Sequence, residues 1–254
     1  MAVGLFVIGD EILSGKRQDK HLSRVIGLLA ERGIALDWAQ FLGDDQDRIA
    51  AAIAAAVARG DTVLSCGGIG ATPDDCTRQA AAQAFGRPIV RHPEGEALIL
   101  AQYGDQALPN RVLMADFPAG AELIPNPVNR VAGFSVENCY FVPGFPEMAW
   151  PMLEWVLDQR LRHLHQAEPP VEYSLNAIGP VTEGDLLPLM RETLERWPAI
   201  KLASLPFRGS PERPRQIEFG FKGPRADAAA AYASFCEGLK AWPAIEIEVL
   251  KAPA

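Results

Sequence analysis

The chain opens on a short apolar run, Val-Gly-Leu-Phe-Val-Ile at residues 3–8, which ends at Gly9-Asp10. Unbroken apolar character over six residues predicts a strand buried on both faces, the habit of parallel sheets, with chemistry possible in the loop after it. From Asp19 to Arg32 the apolar residues Leu22, Val25, Ile26, Leu28 and Leu29 recur at helical spacing, and Gly33 follows as a stop. Residues 34–42 return to an extended pattern, Gly43-Asp44-Asp45 breaks it, and residues 47–59 form an alanine-rich helix ended by Gly60. Residues 62–66 read as another buried strand, followed by a glycine-rich loop and a helix over 76–85. Strands alternating with helices imply a parallel sheet covered on both faces.

Beyond Gly86 the pattern weakens. Residues 93–103 are expected to be helical, 109–127 to be proline-rich loop, 134–142 to be two short strands about Glu137-Asn138, and 145–162 to be a helix interrupted by Pro151. The polar segment from His163 to the diproline Pro169-Pro170 marks a domain boundary, giving a first domain over 1–168 and a second over 169–254. The second reads as strand 171–178, helix 184–197, strands 199–207 and 215–222, helix 226–240 and strand 245–250. That β-α-β-β-α-β order is a split βαβ unit. The predicted fold class is thus α/β, a three-layer parallel-sheet domain followed by a small α+β domain.

Composition narrows the function. With 24 Lys and Arg against 32 Asp and Glu, the net charge is −8, and a nucleic-acid or anionic-membrane surface, which needs clustered basic side chains, is not expected. The second domain is nearly neutral, so the acidic excess lies in the first. No run of about 18 apolar residues suggests a membrane span and no basic leader precedes the first strand. The four cysteines (Cys66, Cys76, Cys139, Cys236) have no Cys-x-x-Cys spacing and fit a reducing cytoplasm.

The strongest local signal is Gly67-Gly68-Ile69-Gly70-Ala71-Thr72-Pro73-Asp74-Asp75, between a buried strand and a helix. Glycines let backbone N–H groups turn to a ligand, and a helix start adds roughly half a positive charge, so a phosphate can be held without a basic patch. Asp74 and Asp75 would repel that phosphate, at about 4 kcal/mol per contact at 4 Å and an effective dielectric of 20, unless a hard divalent cation lies between. One aspartate needs no explanation beyond a helix cap, but two beside a glycine cradle point to a site. Gly9-Asp10-Glu11 and Gly43-Asp44-Asp45 follow the first two strands, and parallel strands bring such loops to one sheet edge. Asp44 to Asp47 are equally explained as helix capping, and Ser14-Gly15 with Asp19 either closes the cradle or forms a turn and a cap.

Gly9-Asp10-Glu11-Ile12-Leu13-Ser14-Gly15, Asp19, Gly43-Asp44-Asp45, the segment Gly67 to Arg78, Asn126-Pro127-Val128 and Pro143-Gly144-Phe145-Pro146-Glu147-Met148 occur in that order over residues 3–152. Together they resemble the successive motifs of the molybdopterin-binding (molybdenum cofactor biosynthesis) domain, in the version of the competence/damage-inducible protein A (CinA) family. The region 171–250 is similar to the KH-like middle domain of that family. Full-length members often continue into an amidohydrolase acting on nicotinamide mononucleotide; the chain ends at Ala254, so deamidase activity is not expected.

The resemblance implies a small-molecule ligand, a nucleotide or pterin phosphate such as molybdopterin, and a homodimer or trimer in the cytoplasm. It implies metal-dependent hydrolysis of ADP-ribose-like pyrophosphates, with adenylyl transfer to molybdopterin, or binding without turnover, as alternatives. Asp44 and Asp75 match acidic active-site residues. A divalent metal (Mg, Mn or Co) would sit near Asp44, Asp74 and Asp75. Gly67, Gly68, Gly70 and Thr77 match the phosphate segment, with Thr72, Gly9, Asp10, Ser14, Gly15, Asn126, Pro143 and Gly144 as further binding positions. The chain departs from the pattern at Ala71, which replaces a proline, and at Asn129, Arg130 and Ala132, which replace glycine, threonine and proline. Side chains at 129 and 130 could crowd a pterin, or Arg130 could become a bidentate phosphate donor.

Overall fold

The structure, a computed structural model, describes residues 2–253. Its contacts divide the chain between Gln166 and Ala167 into two compact units.

The first unit runs β1 (Val3–Ile8), α1 (Asp10–Leu13), α2 (His21–Ala30), β2 (Trp38–Leu42), α3 (Gln46–Ala58), β3 (Thr62–Cys66), α4 (Thr77–Ala84), β4 (Ile89–Arg91), α5 (Pro93–Tyr103), β5 (Asp116–Pro118), β6 (Glu122–Ile124), β7 (Gly133–Val136), β8 (Cys139–Val142) and α6 (Pro146–Gln159). Its main sheet has the order β2-β1-β3-β8-β7-β6; the first four strands pair in parallel, and β7 runs antiparallel between β8 and β6. Alternation along β1 sends Val3, Leu5 and Val7 to one face, against Val25, Leu28 and Leu29 of α2 and Met152, Leu153 and Val156 of α6. Phe6 and Ile8 go to the other, against Ile49 and Ile53 of α3 and Ala80 and Ala81 of α4. Each fully buried Leu, Ile or Phe contributes roughly 1.5–3 kcal/mol, so both faces are held firmly. On that second face Phe117, Phe134 and Phe141 stack at 4.9 and 4.6 Å between successive ring centres.

The parallel-sheet expectation holds, and the proline-rich stretch is more structured than its pattern suggests. Two 3₁₀ turns, Gly104–Ala107 and Arg111–Ala115, lead into β5, which pairs with β4 as a separate two-stranded ribbon, and β6 extends the main sheet. Strands of three residues are too short to show a period of two, and that is why they escape pattern reading.

The second unit is β9 (Val171–Ile178), α7 (Glu183–Arg196), β10 (Lys201–Phe207), β11 (Gln216–Gly223), α8 (Arg225–Leu239) and β12 (Glu246–Lys251). Its antiparallel sheet has the order β10-β11-β9-β12, the split βαβ arrangement. Leu175, Ala177, Phe219 and Phe221 pack on Leu186 of α7 and Ala231 and Phe235 of α8. A reciprocal capping box between Thr182 and Asp185 starts α7. No helix among the described residues is long and apolar enough to cross a membrane.

Candidate functional site

The carboxyl ends of β1, β2, β3 and β8 lie along one edge of the sheet, as their parallel pairing requires. Two hydrogen bonds lock the loops that leave it: the Gly9 N–H donates to the Leu42 carbonyl and the Gly67 N–H to the Val142 carbonyl, both at 3.0 Å. These loops enclose a cleft of about 410 Å³ in the first unit.

The glycine-rich loop forms its floor. Gly67 has φ 109°, and a Cβ there would fall inside the Ile8 carbonyl oxygen; Gly68 has φ 69°, and a Cβ there would fall on the Thr77 hydroxyl. Glycine at both positions therefore lets the loop lie against β1 and α4. Thr77 is buried beneath the loop, its hydroxyl donating to the Gly67 carbonyl at 3.1 Å and its N–H to the Gly68 carbonyl at 3.0 Å. It roots the loop and does not line the cleft. Gly68, Ile69, Gly70 and Ala71 all do, and none of their four N–H groups finds an acceptor among the described residues. Four successive N–H groups without an acceptor thus lie along this floor, the kind of run from which anion-binding nests are built.

Acidic side chains surround this floor. Glu11, Asp44, Asp74 and Asp75 line the cleft, and Arg17 is the single cation among its lining residues. Asp75 closes the turn at the end of the loop, its Oδ2 accepting from the Thr72 N–H at 3.0 Å and the Thr72 hydroxyl at 2.5 Å. Asp44 is bound by the Asp10 N–H at 2.9 Å. Partial burial lifts the Asp44 carboxyl above its usual pKa against that hydrogen bond, and the charges of Asp10, Glu11 and Asp74 add to the rise. All these donors are hard oxygens, the kind that suits Mg²⁺ or Mn²⁺. Yet among the described residues no three His, Cys, Asp or Glu side chains converge as a closed metal shell. A cation here fits only as one shared between one or two carboxylates and a ligand's phosphate, the usual habit of Mg²⁺.

The far wall is apolar: Met114, Val131, Ala132, Met148 and Phe145, the last 53% exposed. Pro143 and Gly144 form the rim, where the Gly144 carbonyl lies 3.1 Å from Nε2 of the buried His21. Asn126 organises the 126–131 loop. Its Nδ2 donates to Asn129 Oδ1 at 2.8 Å and the Val131 carbonyl at 3.0 Å, and its Oδ1 accepts from the Val128 N–H at 3.0 Å.

Of the positions expected from the sequence, Gly9, Asp44, Gly67, Gly68, Gly70, Thr72, Asp74, Asp75, Asn126, Pro143 and Gly144 line this one cleft. Asp10, Ser14, Gly15, Thr77 and Arg130 do not. Asp10 turns to Asp44, while Ser14 and Gly15 end α1, their N–H groups bonded to the Asp10 and Ile12 carbonyls. Arg130 is exposed at φ 60°, with its N–H on the Asn126 carbonyl, whereas the other replaced residues, Ala71, Asn129 and Ala132, line the cleft. Burial pushes the Cys66 thiol up, in keeping with a packed residue and not a nucleophile. Arg17 and Met114 line the cleft from outside the motifs, and Phe145 lies within one without being among the expected binding positions.

A family model described as "Probable molybdopterin binding domain" matches residues 4–163. A CinA-like protein of Geobacter metallireducens is 35% identical over 175 residues, which cover 64% of this chain and 42% of that protein. A protein of Pyrobaculum calidifontis is 28% identical over 211 residues, 80% of this chain and 79% of that one. The crystal structure of the protein CinA from Thermoplasma acidophilum superimposes with a TM-score of 0.57 at 27% identity, covering 62% of this chain and 98% of that one. The chain spans about two fifths of the CinA-like relatives it matches. Through the domain that carries the cleft, the chain belongs to the molybdopterin-binding domain family and is similar within it to CinA-like proteins.

Proposed function

We propose that the cleft takes the phosphate of a nucleotide or pterin and that the chain hydrolyses a pyrophosphate linkage of ADP-ribose type with a divalent cation. The observation that carries this reading is the set of four unpaired N–H groups at Gly68 to Ala71, in one cleft with Asp44, Asp74 and Asp75. The N–H groups bind phosphate oxygens without a basic patch. In this reading Asp74 and Asp75 would share a cation with those oxygens, which when bound would neutralise phosphate charge and lower the pKa of a water. Asp44, which lines the cleft and has its pKa raised by burial, is assigned the role of accepting a proton from an attacking water. Attack of the water oxygen on one phosphorus breaks the P–O–P bond of ADP-ribose and releases AMP and ribose 5-phosphate. Arg17 at the cleft edge donates to the group that leaves.

A second reading is favoured by the wall of Met114, Phe145 and Met148, which offers a planar pterin a stacking surface. In it the cleft holds molybdopterin without turnover, or passes it an adenylyl group from ATP. Calorimetric titration of chelator-treated protein with ADP-ribose separates them. The hydrolase reading expects binding to tighten roughly tenfold when Mg²⁺ is added, because the cation relieves repulsion from the carboxylates; equal affinity with and without Mg²⁺ would leave the second reading.

A further inference from the structure

Arg78, on the first turn of α4, is 4% exposed. A charge so buried is costly unless it is fully employed. The two Nη atoms of its guanidinium are spent on backbone carbonyls: Nη2 donates to Gly70 O at 2.6 Å, and Nη1 donates to Leu113 O and, at 3.1 Å, to Asp116 O, while its buried Nε has no partner among the described residues. No carboxylate among the described residues lies within ion-pair distance of it, and the Asp116 carboxylate is taken by Arg91. Burial draws its pKa down while Asp116 and Asp75 act against this at longer range, but an arginine side chain stays charged. A lone buried cation therefore stands directly behind the floor of a cleft that carries four acids.

Geometry makes the placement specific. A trans peptide points its C=O and N–H in opposite directions. Holding the Gly70 carbonyl on Arg78 therefore aims the Ala71 N–H away from the guanidinium, and Ala71 lines the cleft. We propose that Arg78 is the positioning residue of the phosphate loop, fixing the Gly70–Ala71 peptide so that its N–H faces the ligand and supplying positive charge from behind the nest. The ligand never meets the side chain. This inference rests on the phosphate-loop reading above, and extends it to a residue that is hidden from the cleft.

The test uses AMP with Mg²⁺ as probe and compares wild type, Arg78→Met, Arg78→Lys and the control Arg32→Met. Arg32 makes a two-point pair with Asp158, 2.6 and 2.8 Å, far from the loop in sequence. The proposal expects the Ala71 amide resonance of the wild type to shift on AMP addition. In Arg78→Met that shift is lost and AMP binds roughly tenfold more weakly, while Arg32→Met loses stability but keeps wild-type affinity. Arg78→Lys keeps the charge and not the fork, so it binds about threefold more weakly with a reduced Ala71 shift, and it serves if the methionine variant does not fold. Binding and an Ala71 shift unchanged in both Arg78 variants would overturn the role of Arg78 and leave the phosphate loop standing. A wild type that does not bind AMP would overturn the loop reading, and this inference with it.

Discussion

Asp10 and Asp44 clasp each other across the first two loops of the sheet edge: the Asp10 N–H donates to Asp44 Oδ2 at 2.9 Å, and the Asp44 N–H donates to Asp10 Oδ1 at 3.2 Å. Two like charges are thereby held close, each with a backbone dipole in support. The Asp10 charge is one of the causes that lift the Asp44 pKa, after burial. Asp10→Asn keeps an oxygen for the Asp44 N–H and removes the charge. The acid limb of the pH–rate profile should move to lower pH in this variant, and a limb that stays in place would show that Asp10 does not tune Asp44.

Asp44 itself is expected to trade stability for activity. Its folded pKa lies above the unfolded value, so its contribution is unfavourable above the folded pKa and vanishes as pH falls below the unfolded one. Asp44→Asn should therefore be at least as resistant to urea as the wild type at pH 7, while turnover falls by roughly 100-fold or more. A clear loss of stability with activity retained would place Asp44 among the structural carboxylates.

Gly67 and Gly144 meet each other at the cleft, yet only one of them depends on being glycine. A Cβ at Gly67 overlaps backbone at positive φ, whereas one at Gly144 would make an ordinary 3.4 Å contact with the Gly67 Cα. Gly67→Ala should cost at least about 1–3 kcal/mol of unfolding free energy, and Gly144→Ala less than about 0.5 kcal/mol. Equal denaturant midpoints for the two would contradict this account of the loop.

Asn126 has both amide protons and its carbonyl oxygen engaged within its own loop. Asn126→Ala should destabilise the protein by about 1–3 kcal/mol and raise KM for ADP-ribose more than it lowers kcat, because the loop shapes the pocket and does no chemistry. An unchanged KM would detach the 126–131 loop from ligand binding.

How much of this was legible beforehand follows from the range of each interaction. The runs at β1 and β3 and the glycines after Cys66 are local, so the parallel sheet and the phosphate-loop candidate could be read directly from the chain. The clasp between Asp10 and Asp44 spans 34 residues, and the grip of Arg78 on Leu113 and Asp116 spans 35 and 38; no local pattern carries such pairings. Thr77 stands at its motif position and yet points under the loop, because the strand-to-helix turn that exposes glycine N–H groups must bury the residue anchoring it. Arg130 could be named as a departure from the motif, but its backbone at φ 60° and its exposed side chain come from the turn made by Asn126.

The central claim is that carboxylates and a shared cation turn an acidic cleft into a pyrophosphate-cleaving site. Its most direct measurement is AMP release from ADP-ribose by chelator-stripped protein, alone and with Mg²⁺, Mn²⁺ or Co²⁺, for the wild type and Asp75→Asn. Turnover that appears only with a cation and falls by roughly 100-fold or more in Asp75→Asn is the predicted result. No AMP release with any of the three cations, or release that is indifferent to Asp75, would contradict it.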